Sequence, residues 1–201
     1  MTKDLLYLAV EYSKGLLSKE YIIENYNSIL LELLEIYLND KNSSSLRQII
    51  TCEVIGIKSN PNKLGYDGDG SLDEVKPKNV SSVGVKTLDG GGNYSDLTLK
   101  RHWKYVEDNP TIHISGFVDG FLIYILKIPY TDLESFFYQK LIKKFPNGDI
   151  VGNYLRSASF SFTNIKSLPN LEIEFVRKNI NDYTSFLQKD LYNYLKLYVN
   201  D

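Results

Sequence analysis

Between Gly65 and Asn79 the chain reads Gly-Tyr-Asp-Gly-Asp-Gly-Ser-Leu-Asp-Glu-Val-Lys-Pro-Lys-Asn, which sets Asp67 a few residues ahead of Glu74-Val75-Lys76. Two carboxylates and an ammonium at one place are what metal-assisted hydrolysis of a phosphodiester requires. A hard divalent cation neutralises the phosphate and acidifies a water, and Mg²⁺ typically takes only one or two protein carboxylates while keeping several waters. Side chains alternate in an extended segment, so Glu74 and Lys76 emerge on one face with Val75 turned toward a core. Glu74 can then hold the metal, Lys76 can meet the attacking water or the phosphate, and Asp67, in the preceding turn, supplies the second carboxylate. Asp69 and Asp73 are alternatives for that first acid.

The same residues suggest two other uses. Asp-Gly-Asp-Gly-Ser-Leu-Asp-Glu looks like part of a calcium loop, but with Gly70 as the glycine of position six, positions one and twelve fall on Gly65 and Lys76, where a ligand and a Glu are needed. A plain solvated turn is the remaining use, because Gly and Asp favour turns for backbone reasons and Pro77 tends to end a strand.

The segment resembles the active site of the PD-(D/E)XK nucleases, the group that includes most type II restriction endonucleases. Asp67 matches the motif's first acid and Glu74-Val75-Lys76 its (D/E)-x-K; Tyr66 stands where the motif has proline, and the interval from Asp67 to Glu74 is short for the family. The resemblance implies Mg²⁺-dependent cleavage of double-stranded DNA, with Asp67 and Glu74 as metal ligands and Lys76 orienting the water or stabilising charge. It also implies an auxiliary acid on the preceding helix, where Glu53 lies, and a homodimer cutting a two-fold site; the dimer contact is expected on the helical first third. The alternative is a non-enzymatic interaction module in which the acidic turn is structural.

Composition is permissive. The chain has 201 residues, is 43% hydrophobic and carries 16 tyrosines, enough for one domain with a full core. Residues 1–42 read as a helical N-terminal part and 43–201 as the catalytic core. The single Cys52 excludes an intramolecular disulfide and fits a reducing compartment. With no signal-peptide pattern and no apolar run of spanning length, a cytoplasmic protein without a membrane partner is expected.

Net charge is −2, so any nucleic-acid contact must rest on local patches. Lys100-Arg101-His102-Trp103-Lys104 is the densest basic cluster, with Lys100 and Lys104 on one helical face as phosphate anchors and Trp103 toward the core. Lys78 and Asn79 follow the motif directly. Residues 154–162 alternate, with Ser157 and Ser159 on one face and Arg156 on the other, as groups that could contact phosphates or base edges. His102 and His113 are the only histidines, so zinc and Cys–His or Ser–His chemistry lack a ligand set or triad. Gly90-Gly91-Gly92 fits no phosphate-loop spacing and reads as a mobile loop.

The elements that must position these residues read as helices first and strands later. Helices are expected over 3–14, 19–38 and 44–57, around a polar break at 39–43, then from Ser95 or Asp96 to Asp108, from the capping box Thr131-x-x-Glu134 to Phe145, and over 182–198. Strands are expected at the motif, over 80–88, as a hairpin of 112–117 and 121–128 across Asp119-Gly120, and over 154–162 and 171–176. The fold class is therefore α/β (α+β), a central mixed β-sheet flanked by helices with a helical N-terminal part. It is compatible with the restriction-endonuclease-like core that the resemblance implies.

Overall fold

A computed structural model describes residues 3–40, 44–61, 65–148 and 153–199; the expected break at 41–43 and the turn residue Asp149 lie outside them. The chain runs α1 (Lys3–Ser13), α2 (Lys19–Asn25), α3 (Ser28–Asn39), α4 (Ser45–Val54), β1 (Asp73–Val80), β2 (Gly92–Leu97), α5 (Leu99–Asp108), β3 (Thr111–Val118), β4 (Phe121–Pro129), α6 (Glu134–Lys144), β5 (Leu155–Phe160), α7 (Phe162–Ile165), β6 (Glu172–Val176) and α8 (Lys189–Lys196). Short 3₁₀ turns at Tyr130–Leu133 and Ile180–Phe186 precede α6 and α8.

Four strands form one mixed sheet in the order β1-β3-β4-β6, with β1 and β3 parallel and the other pairs antiparallel. β2 and β5 pair separately as an antiparallel ribbon. This is the expected α+β class, a mixed sheet flanked by helices. The β3–β4 hairpin forms because Asp119 and Gly120 both take positive φ, 47° and 80°, as a tight turn matched to strand twist requires.

Each face of the sheet buries its own apolar cluster. Phe117, Leu122 and Ile125 pack under the N-terminal helices against Leu8, Ile22, Leu34, Leu38 and Ile50. Ile112, Ile114, Leu126 and Ile128 pack on the opposite side with Tyr94, Tyr105, Tyr130 and Phe137. A fully buried side chain of this size contributes about 2 kcal/mol, so both faces are committed and the register cannot slip. Two buried arginines fasten the helices. Arg47 donates to the carbonyls of Leu38 (2.5 Å) and Asp40 (3.0 Å) at the end of α3, and Arg177 donates to those of Ser13 (3.2 Å) at the end of α1 and Leu122 (3.0 Å) on β4, tying that helix to the sheet.

Several elements differ from the sequence expectation. The helix expected over 19–38 is two helices, because Asn27 accepts the Leu30 N–H at 2.8 Å and caps a new start. Residues 81–88 are not a strand: Ser81 to Gly84 close a turn, leaving Val83 and Val85 fully exposed, and only Leu88 makes a β-bridge, to Leu187. That bridge also interrupts the helix expected over 182–198. The helix expected from Ser95 or Asp96 begins at Leu99 behind the cap Thr98, after the strand β2. No capping box forms at Thr131; a 3₁₀ turn occupies those residues and the α-helix starts at Glu134.

Among the described residues, no helix is long and apolar enough to cross a membrane.

Candidate active site

The approach to the site is set by the end of α4. Gly56, at φ 76°, ends the helix, with Ile57 N–H bonded to Cys52 O and Gly56 N–H to Glu53 O. The chain then makes a bridge from Ser59 to Gly68 and turns back, with the Asp67 and Gly68 N–H groups both on the carbonyl of Asp73. Asp67 is thereby laid against the start of β1.

β1 is an edge strand, which tolerates Pro77 within it. Glu74 and Lys76 share a face in register with Ile112 and Ile114, as alternation requires. Glu74 is 3% exposed, and its two oxygens are engaged separately. Oε1 accepts from the Tyr105 hydroxyl at 2.6 Å and Oε2 from Lys76 Nζ. Tyr105 in turn receives Arg101 Nη2 at 2.7 Å and Nε at 3.1 Å. Because guanidinium only donates, the phenol proton must point at Glu74. Burial and the facing Glu74 charge push the Tyr105 phenol far above its ordinary value. The Lys76 ammonium lies 4.6 Å from the centre of the buried Tyr94 ring, a cation–π seat that helps hold it beside the carboxylate.

Asp67 lies on the open edge of the same strand. Its Oδ2 accepts the Val75 N–H at 2.6 Å and its Oδ1 accepts Gln48 Nε2 at 2.7 Å. Burial raises its pKa; the Lys76 charge and the Val75 N–H pull it down, and Glu74 pushes it up again. Two carboxylates and a lysine thus influence one another, and every carboxylate oxygen keeps a lone pair beyond its hydrogen bond. Among the described residues no group of three or more His, Cys, Asp or Glu side chains converges as a metal site. The Asp67–Glu74 pair matches the one or two carboxylates that an octahedral, still partly hydrated cation such as Mg²⁺ takes from a protein, and hard oxygen donors suit it.

Asp67 and Lys76 open on a cleft of about 470 Å³, while Glu74 is buried beside Lys76 and is not part of the cleft lining. Asp67, Gln48 and Lys76 lie along it, Lys78 and Asp89 stand on one side joined by an ion pair of 2.8 Å, and Gly91, Gly92, Asn93 and Ser159 form another wall. The triple glycine is not a mobile loop. A Cβ on Gly91 would fall 1.9 Å from Phe160 O, and one on Gly92 would fall 2.9 Å from Lys76 Cβ. The glycines are there for close backbone approach, which brings β2 against the Glu74–Lys76 strand.

Other residues expected at the site are placed elsewhere. Glu53 is exposed on α4 and does not line the cleft; five residues along a helix turn it well away from Gln48, which does. Asp69 is exposed and paired with Lys58, and Asp73 points to the opposite face, onto His113 Nε2 at 2.8 Å. Asn79 is tied into the hairpin, accepting the Gly120 N–H at 3.0 Å and donating to Asn39. Lys100 and Lys104 are exposed on α5 away from the cleft walls, and Lys104 is 4.0 Å from Asp108. Trp103 is 47% exposed, while His102 and Tyr105 take the buried side of α5. Arg156 is exposed at the far end of β5; Ser157 and Ser159 lie on the outer face of the ribbon.

Sequence reasoning missed Gln48, Tyr94, Arg101, Tyr105, Asp89 and Asn93. The Arg101–Tyr105 spacing of four on a helix was the available signal. Gln48 and Asn93 are neutral and carried none. No protein-family model matches the chain, and no curated protein matches it.

Proposed function

We propose that this chain is a Mg²⁺-dependent endodeoxyribonuclease of the PD-(D/E)XK kind, acting on double-stranded DNA as a sequence-specific type II restriction endonuclease. The observation that carries the reading is the grouping of Glu74, Lys76 and Asp67 around the first residues of β1: Lys76 is ion-paired with the buried Glu74, Tyr105 holds the other Glu74 oxygen, Gln48 and the Val75 N–H hold Asp67, and Lys76 and Asp67 line the cleft. Mg²⁺, when bound, would neutralise the phosphate and acidify a water.

Asp67 and Glu74 would hold that ion. Gln48 and the Val75 N–H fix the first carboxylate, and Tyr105 with Arg101 behind it fixes the second, so the donors need little reorganisation. Lys76 places a positive charge beside the reacting phosphate, where negative charge grows as a water oxygen bonds to phosphorus and an existing P–O bond breaks. The attacking water gives up a proton and the departing oxygen gains one. Lys78 on the cleft side can position the backbone.

A homodimer is part of the proposal, because a duplex with a two-fold site has two strands to cut. The support is a row on α3, where Ile29, Leu33 and Ile36 recur at helical spacing and all stand exposed beside Tyr37. A second copy would cover it. A cytoplasmic setting is supported by Cys52, which is buried and unpaired, its thiol pushed up to about 11 by burial.

Incubation with mixed DNA with and without Mg²⁺ tests the reading. Discrete fragments only with Mg²⁺ are expected; smearing indicates a non-specific nuclease, and no cleavage of any DNA indicates the interaction module instead.

A further inference from the structure

We infer that the β2–β5 ribbon reads base edges in the major groove, with Asn93 as the chief specificity residue and adenine as the base it takes. The inference rests on the nuclease reading. Inward-facing Tyr94, Leu97, Ala158 and Phe160 are buried in the main core, so the ribbon is rigidly anchored. Its outward positions Asn93, Ser95, Ser157 and Ser159 are exposed, uncharged hydrogen-bonding side chains; the exposed charges of the ribbon, Asp96 and Arg156, stand toward the end away from Gly92. Such a face differs from the outer side of α5, where Lys100, Lys104 and Glu107 are charged and exposed. Phosphates are met largely by cations, whereas among base contacts the neutral Asn amide is the partner suited to adenine and serine hydroxyls can serve any base.

Position links this face to the chemistry. Asn93 and Ser159 line the same cleft as Lys76 and Asp67, and Gly92, next to Asn93, packs on the Lys76 side chain. A duplex with its phosphate at Lys76 therefore sets the neighbouring base pairs over the ribbon, and a two-stranded ribbon is of a width that the major groove admits. The pairing within the face sets what it offers. Asn93 Oδ1 accepts both Ser157 Oγ at 2.5 Å and Ser159 Oγ at 2.9 Å. The two hydroxyl protons are thereby used, and one Asn93 amide hydrogen is directed at Ser95 Oγ at 3.4 Å, which leaves the other amide N–H as donor, flanked by serine oxygens as acceptors. A donor beside an acceptor complements adenine, with N7 accepting and N6 donating.

The test is sequencing of cut ends from a randomised duplex library treated with the full-length protein, Asn93→Ala, Ser159→Ala and, for comparison, Lys78→Ala. Wild type should require adenine at one position near the cut, and Asn93→Ala should lower that preference by about ten- to a hundredfold, with Ser159→Ala acting at the same position. Lys78→Ala should reduce cutting of all sequences alike and flatten its salt dependence. An adenine preference unchanged in both ribbon variants, or a preference for another base, overturns the inference while leaving the nuclease reading intact; cutting by wild type with no sequence preference overturns the inference and the sequence-specific part of that reading, but not nuclease activity itself. Absence of cutting by wild type overturns the nuclease reading, and this inference with it.

Discussion

Tyr105 gives its hydroxyl proton to Glu74 across 2.6 Å, and Arg101 behind it leaves the phenol no other way to point. A buried carboxylate is thus oriented by a chain of fixed polarity that begins at the half-buried Arg101 on α5 and ends at Glu74 beside Lys76. Tyr105→Phe should keep the fold, since the ring stays, but should cost about 10–100-fold in cleavage or in the Mg²⁺ concentration giving half-maximal cleavage. A Mg²⁺ titration of cleavage checks this; a variant indistinguishable from wild type would remove Tyr105 from the account.

Gly91→Ala tests the claim that the triple glycine is a packed joint. The added methyl would meet the Phe160 carbonyl at 1.9 Å. Overpacking of this kind costs about 1–3 kcal/mol, so a lowered denaturation midpoint is expected, with slower cleavage because β2 carries its wall of the cleft. Unchanged stability would return residues 90–92 to the status of a loop.

His113 should make stability depend on pH. Its Nδ1 lies 2.6 Å from Glu174 and its Nε2 2.8 Å from Asp73, and only the imidazolium can donate at both nitrogens. Burial opposes that charge, but the two carboxylates outweigh it and raise the pKa above the ordinary 6.5. The folded value therefore exceeds the unfolded one. The stabilisation is full below pH about 6.5 and is lost as pH rises through the folded value. Denaturant unfolding of wild type and His113→Gln should show the larger difference at pH 5.5 than at pH 9; an equal difference at both would contradict it.

How far the sequence carried these conclusions differs between elements. The β3–β4 hairpin was legible because Asp119-Gly120 is a local instruction flanked by long apolar runs, and the pairing of Glu74 with Lys76 because strand alternation is geometric. β2 was not, since Gly92 and Asn93 have poor strand propensity and the strand exists because Tyr94 and Leu97 are buried from above. The break at Asn27 was hidden by apolar spacing that continues through it, and the interruption near Leu187 depends on its distant partner Leu88. Within the site, Asp67 over Asp69 was undecidable from spacing; what separates them is the Val75 N–H on the strand's open edge, a tertiary contact. Glu53 drew notice by its charge, while the neutral Gln48 on the same helix makes the contact.

The exposed row on α3 predicts self-association. Leu33→Asp places a charge in the middle of Ile29, Leu33 and Ile36 without disturbing the buried side held by Leu31, Leu34 and Leu38. Sedimentation equilibrium should find wild type dimeric at micromolar concentration and the variant monomeric and folded. A monomeric wild type would contradict the proposed homodimer.

Cleavage of duplex DNA by wild type, Glu74→Ala and Lys76→Ala in the presence of Mg²⁺, with circular dichroism to confirm that each variant is folded, tests the central claim most directly. Wild type should give discrete fragments and both variants none, since on the proposed function Glu74 would hold the ion and Lys76 would face the growing charge. Full cutting by either folded variant would contradict the assignment of this site.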